Sequence, residues 1–93
     1  MTEKILPRPV LHFGDNQPIQ KYDFHDWYYQ LHNRIFFVVD EATRDQDVSL
    51  ELADVITVCM SWLEFLGYDE EKRNKLFATI NEANKNSGYF EEI

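Results

Sequence analysis

From Val48 to Gly67 the chain reads VSLELADVITVCMSWLEFLG, a run that is apolar around more than half the circumference of a helix and ends on glycine. Leu52, Ile56, Cys59 or Met60, Leu63 and Leu66 recur at three- and four-residue steps as its main stripe, and Val55, Val58 and Trp62 widen it. Gly67 suits the left-handed position that closes a helix. A segment of this kind belongs at the centre of a bundle or against a second subunit.

Its neighbours carry helix signals of their own. Asp23, with Asp26 three residues on, is the predicted cap of a first helix whose Phe24, Trp27, Tyr28, Leu31, Ile35, Val38, Val39 and Ala42 make one apolar face. Asp45, Gln46 and Asp47 break that pattern. Asp69 is the predicted cap of a third helix, where Glu70 and Glu71 meet the exposed amides of the first turn. Leu76, Phe77, Ile80 and Ala83 give this helix a narrower face, and Asn86 to Gly88 should end it. The tail YFEEI offers aromatics that could fold back or meet a partner.

Residues 1–22 hold all three prolines and the turn-like GDNQP, so an extended or looped arm is expected there, with a short strand near Val10 to Phe13. The fold expected is all-α: three main helices in residues 23–93 after an extended N-terminal arm over residues 1–22, the bundle completed by homodimerisation. Size supports the last point, since 93 residues bury only roughly 60 to 65% of their unfolded surface. Aromatic side chains at 15% of the sequence are available to fill space or an interface.

Charge narrows the partners. Nine basic residues against seventeen acidic leave a net charge of -8, which makes direct nucleic-acid binding unfavourable. Ten acids but only Arg44 among bases lie between residues 40 and 71, which suits a divalent-cation site, a nucleic-acid-like surface for a basic protein partner, or a solvated face. Cys59 is the only cysteine, so no internal disulfide forms; its apolar neighbours mark it as a small core filler without a lowered thiolate pKa. No apolar run is long enough to span a membrane and MTEKILPRPV lacks a leader's apolar core, so the expected compartment is the cytosol.

Glu51 and Asp54 stand one helical turn apart and can direct oxygens to one point. Hard cations such as magnesium prefer such ligands, yet acids near a helix start are also stabilised by its unpaired amides. Both readings stand on this pair alone. Further oxygens could come from the end of the first helix, where Glu41 and Asp45 share a face while Asp40 points elsewhere and is placed to pair with Arg44. His25 and His32 share a helical face among aromatics and are read as polar rim residues. Asn81, Asn84, Lys85 and Asn86 put amides and a positive charge near the end of the last helix, where they suit either a sugar-phosphate or the helix dipole.

The order of these residues resembles the MazG-like nucleoside triphosphate pyrophosphatases, over roughly residues 24 to 90. ELADVITVCMSWLEFLGYD is similar to that superfamily's E-x-x-D helix and following turn, and INEANKNSGYF to its last helix. The resemblance implies an all-helical dimer or tetramer that hydrolyses a nucleoside triphosphate to monophosphate and pyrophosphate with Mg2+. It implies Glu51 and Asp54 as metal ligands, aided by Asp40, Glu41 or Asp45, with Glu41 and Glu51 catalytic and Asn84 and Lys85 facing the nucleotide. The chain departs from the family at the first motif, E-E-x-x-E: DEATR puts Arg44 where a carboxylate belongs, and upstream QLHNR from Gln30 has no acid. A non-catalytic acidic binding or inhibitor protein of phage or mobile-element type, or a structural dimerisation module, is the alternative.

Overall fold

The computed structural model describes residues 5–14 and 17–89. Within them lie a 3-10 turn at Ile19–Lys21 and three helices, α1 Phe24–Thr43, α2 Ser49–Phe65 and α3 Glu70–Asn86. The domain is all-α, as the apolar periodicity predicts. No strand forms at Val10 to Phe13, because this segment finds no extended partner and is spent on side-chain and turn contacts instead. The proposed role of the tail beyond Tyr89 lies outside the described residues.

Helix ends follow local chemistry. Asp23 accepts from the Asp26 amide at 3.0 Å, and the Asp26 carboxylate accepts from the Asp23 amide at 3.0 Å, a reciprocal capping box. Asp69 likewise accepts from the Lys72 amide at 3.0 Å. Gly67, at φ +91°, provides the left-handed step after α2 that a β-carbon would disfavour.

The amide of Asp26 holds the Asp23 carboxyl below the ordinary value of 3.8. A depressed folded pKa means that this cap stabilises the fold above the unfolded value and ceases to do so as pH falls through the folded one. Asp23→Ala is therefore expected to lower the melting midpoint by a few degrees at neutral pH. Circular dichroism melts of variant and parent should converge at acid pH; a constant gap would show that the carboxylate's charge is irrelevant.

α1 and α2 run antiparallel, since Trp27 near the start of α1 meets Trp62 and Phe65 near the end of α2, with ring centroids 5.6 and 5.5 Å apart. The Trp27 and Trp62 rings are stacked, 7° from parallel. Trp27 is 1% exposed and Val58 0%. Ile19 and Tyr22 complete this core from outside the helices, with Phe13, Leu31 and Trp62 against it. The arm is thus a structural part of the core, not an appendage. Its Val10 amide donates to Ser61 Oγ at 3.0 Å, and the Ile19 amide donates to the Leu11 carbonyl at 3.0 Å. The bond from Val10 satisfies Ser61 at 0% exposure, and the serine hydroxyl also donates to the Thr57 carbonyl at 2.7 Å.

The stripe expected to be the core of α2 is only partly inside: Met60 and the flanking Val58 are buried and Leu63 is half-buried, but most of it faces outward. Leu52, Ile56, Cys59 and Leu66 are exposed while Val58, Met60 and Ser61 are buried. Cys59 is therefore not a core filler in the single chain, although its apolar surroundings push its thiol pKa up. On α1, Phe24, Tyr28, Ile35 and Val39 are exposed as well. Each stripe is turned about 100° in the same sense from the residues that face the other helix, counting 100° per residue. In an antiparallel pair equal offsets fall on the same flank, and the arm covers the opposite one. The radius of gyration, 15.5 Å, exceeds the roughly 12 Å of a compact chain this long.

α3 stands off the hairpin. Only Arg73 is buried on it, and Leu76 and Phe77 are half-buried. No described helix is long and apolar enough to cross a membrane.

Candidate functional site: an acidic cleft beside the helix turn

The α1–α2 connection is tight. The Gln46 amide donates to the Glu41 carbonyl at 3.0 Å, Asp45 takes φ +59°, and Asp47 accepts from the Ser49 amide at 2.9 Å. That last bond holds the Asp47 carboxyl below its ordinary value. Aspartate tolerates the left-handed region better than most residues, so DQD can reverse the chain in a few steps. The reversal brings the last turns of α1 level with the first turns of α2.

Beside this turn Glu41, Glu51 and Asp54 line one cleft of about 250 Å³ with Arg34 and Phe37. Three of the acids singled out in the sequence thus face a common space across two helices. Glu51 is half-buried, and its Oε2 is buried without a hydrogen-bond partner among the described residues. Removing a carboxylate oxygen from water without a partner is costly. Asp54 is exposed.

The other predicted residues lie elsewhere. Asp40, half-buried, is 3.5 Å from the exposed Arg44 in an ion pair, as the four-residue spacing suggests. Asp45 is exposed on the turn. Neither lines the cleft, and neither do Asn84 or Lys85. Asn84, half-buried in the last turn of α3, accepts from the Tyr89 amide at 2.9 Å through its carbonyl, and the Lys85 carbonyl accepts from Gly88 at 3.0 Å. His32 stacks on Tyr28 with centroids 5.5 Å apart, and His25 lies against Phe24 at 6.1 Å. Both histidines are exposed rim residues.

Arg34 is the residue that sequence reasoning passed over. It ends QLHNR, noticed only for lacking an acid, yet it sits two helical turns before Glu41 and therefore on the same face. Its guanidinium carbon lies 5.8 Å from the Phe13 ring centroid, within cation–π range. The arm thus helps to place a positive charge at the wall of an acidic cleft.

The donor set consists of carboxylate oxygens, the ligand type that hard cations take, and one of them has no partner among the described residues. Among the described residues no group of three or more His, Cys, Asp or Glu side chains is placed to hold a metal ion, so no all-protein cage is present. Magnesium commonly binds through one or two carboxylates while keeping waters and substrate phosphates. Compared with known proteins, the chain matches no family model, no curated protein and no solved structure.

Proposed function

We propose that the chain is a magnesium-dependent nucleoside triphosphate pyrophosphohydrolase acting as a homodimer. The reading is carried by one observation, the meeting of Glu41, Glu51 and Asp54 in a single cleft between α1 and α2. Glu51 and Asp54 would hold Mg2+, with Glu41 facing them from α1. The ion, when bound, supplies positive charge against the phosphoryl oxygens of the substrate. On this reading Glu41 would accept a proton from an attacking water, and Arg34 would donate hydrogen bonds to a phosphate oxygen. Asn84 and Lys85, which do not line the cleft of their own chain, would reach a nucleotide from a second copy.

The exposed flank supports the dimer. Phe24, Tyr28, Ile35, Val39, Leu52, Ile56 and Leu66 are exposed apolar side chains on and beside these two helices, a surface of the kind that a second copy can cover. A second copy covering this flank would make a four-helix arrangement of two hairpins.

Glu51→Gln keeps the side chain's shape and removes its charge. Pyrophosphate release from the canonical nucleoside triphosphates with Mg2+ is expected to fall at least about 100-fold in this variant. Turnover that persists at the parent rate rules the assignment out.

A second reading draws on Arg34. A guanidinium already in the cleft offsets the acids that a metal would need, as in a relative that retains binding and has lost chemistry. This reading expects no turnover by the parent protein and salt-sensitive association of its acidic surface with a basic protein partner.

A further inference from the structure

The second copy would meet the hairpin on its exposed flank, and the residues of that flank set a condition on the meeting. On α1 the stripe runs Phe24, Tyr28, His32, Ile35 and Val39, at three- and four-residue steps that keep to one helical face. His32 stands at its middle. The imidazole lies 13° from parallel with the Tyr28 ring, centroids 5.5 Å apart, and Tyr28 stacks in turn on Phe24 at 6.2 Å. A titratable ring is thus layered into a run of apolar ones, at the rim of the single hairpin but at the centre of the stripe.

On α2 the matching stripe is Leu52, Ile56, Cys59, Leu63 and Leu66. Neither stripe contains Asp, Glu, Lys or Arg, in a chain of net charge -8. Elsewhere acids stand on every helix: Asp40 and Glu41 on α1, Asp54 and Glu64 on α2, Glu70 and Glu71 on α3. A second copy therefore approaches this flank without setting acid against acid, whereas a basic partner is drawn to the other faces. That absence of fixed charge favours the chain's own copy as the occupant.

Covering the flank favours neutral His32, because a cation taken from water without a counter-charge is strongly unfavourable. On α1 the residues three and four away from it are Tyr28, Tyr29, Ile35 and Phe36. The α2 stripe presents one titratable group, Cys59, whose thiol is pushed up by burial, and the arm covers the opposite flank. Among the described residues His32 makes no ion pair. Whichever way two copies of the stripes cross, the titratable groups that meet His32 are Tyr28, Cys59 and a second His32, none of them an anion near neutral pH. His25, by contrast, has the Asp23 carboxylate beside it.

We propose that protonation of His32 opens the dimer, so that two copies join at neutral pH and separate on mild acidification. The switch rests on the dimer reading. Its direction runs against the chain's overall charge, since approach to an isoelectric point near 4.7 removes repulsion and by itself promotes association.

Imidazoles titrate near about 6.5 in water, and each pH unit below that weakens association about tenfold for every imidazole that the interface keeps neutral. With one His32 from each copy, sedimentation equilibrium of the full chain is expected to show a dissociation constant about 100-fold higher at about pH 5.5 than at about pH 8. His32→Phe keeps the ring stack and cannot take up a proton, so it should stay dimeric at both values. His25→Gln should respond as the parent does. A parent that sediments as one chain at the higher pH rejects the dimer and the switch with it. The switch alone is overturned, with the dimer left standing, by a parent dimer that holds or tightens on acidification, by a His32→Phe protein that loosens as the parent does, or by a His25→Gln protein that no longer loosens.

Discussion

Trp27→Ala is expected to remove most of the chain's stability and leave it marginally folded at room temperature. The indole is 1% exposed and meets Tyr22, Trp62 and Phe65 with centroids 4.9, 5.6 and 5.5 Å away. Truncating a buried tryptophan to alanine costs about 3–5 kcal/mol through lost transfer energy and the cavity left behind. Whole domains are stable by only about 5–15 kcal/mol, and small ones lie at the low end. Urea titration followed by far-UV circular dichroism and by Trp62 fluorescence measures the loss. Trp27→Phe should retain the fold, because it keeps a ring and removes an indole Nε1 that is buried without a partner among the described residues. Equal stability of the alanine variant and the parent would mean that the ring cluster is not the core.

Ile56→Asp is expected to weaken self-association by more than about 100-fold. Ile56 is 47% exposed in the single chain, so the change leaves the hairpin's own core intact. Across a joined flank it would set a carboxylate among Leu52, Cys59 and Ile35, where an unpaired charge is strongly unfavourable. Sedimentation equilibrium should give a mass of two chains for the parent and one for the variant, with superimposable circular dichroism spectra. A parent that sediments as one chain at micromolar concentration rejects the dimer.

The helices were readable because their ends are local. Asp23, Asp69 and Gly67 act through bonds and backbone angles set by residues within a turn, and the observed limits of α1, α2 and α3 follow from them. Their orientation was not readable in the same way. α2 is apolar on two sides, and periodicity states that a face is hydrophobic without stating what covers it. Val58 is buried rather than Leu52 because α1 and the 3-10 turn close over Val58. Ser61 is buried because an amide of the arm needs an acceptor there. Ile19 and Tyr22, placed by proline-rich sequence in an arm, enter the core through contacts with residues far along the chain.

The acidic cleft was partly readable for a related reason. Glu41, Glu51 and Asp54 lie close in sequence, so a tight turn and helical spacing bring them together. Arg34 carries no such signature, because a positive charge is not a ligand type for a cation. Asn84 and Lys85 belong to α3, whose placement depends on few contacts.

The aromatic core and the acidic cleft occupy opposite ends of the α1–α2 hairpin, one by Trp27 and Trp62, the other by the turn at Asp45. Most residues that hold the chain folded are therefore not those that would confer chemistry, and the contact of Arg34 with Phe13 is a link between the two ends. A lineage built on this hairpin could gain or shed an activity through one or two exchanges among Arg34, Glu41, Glu51 and Asp54, with its architecture undisturbed.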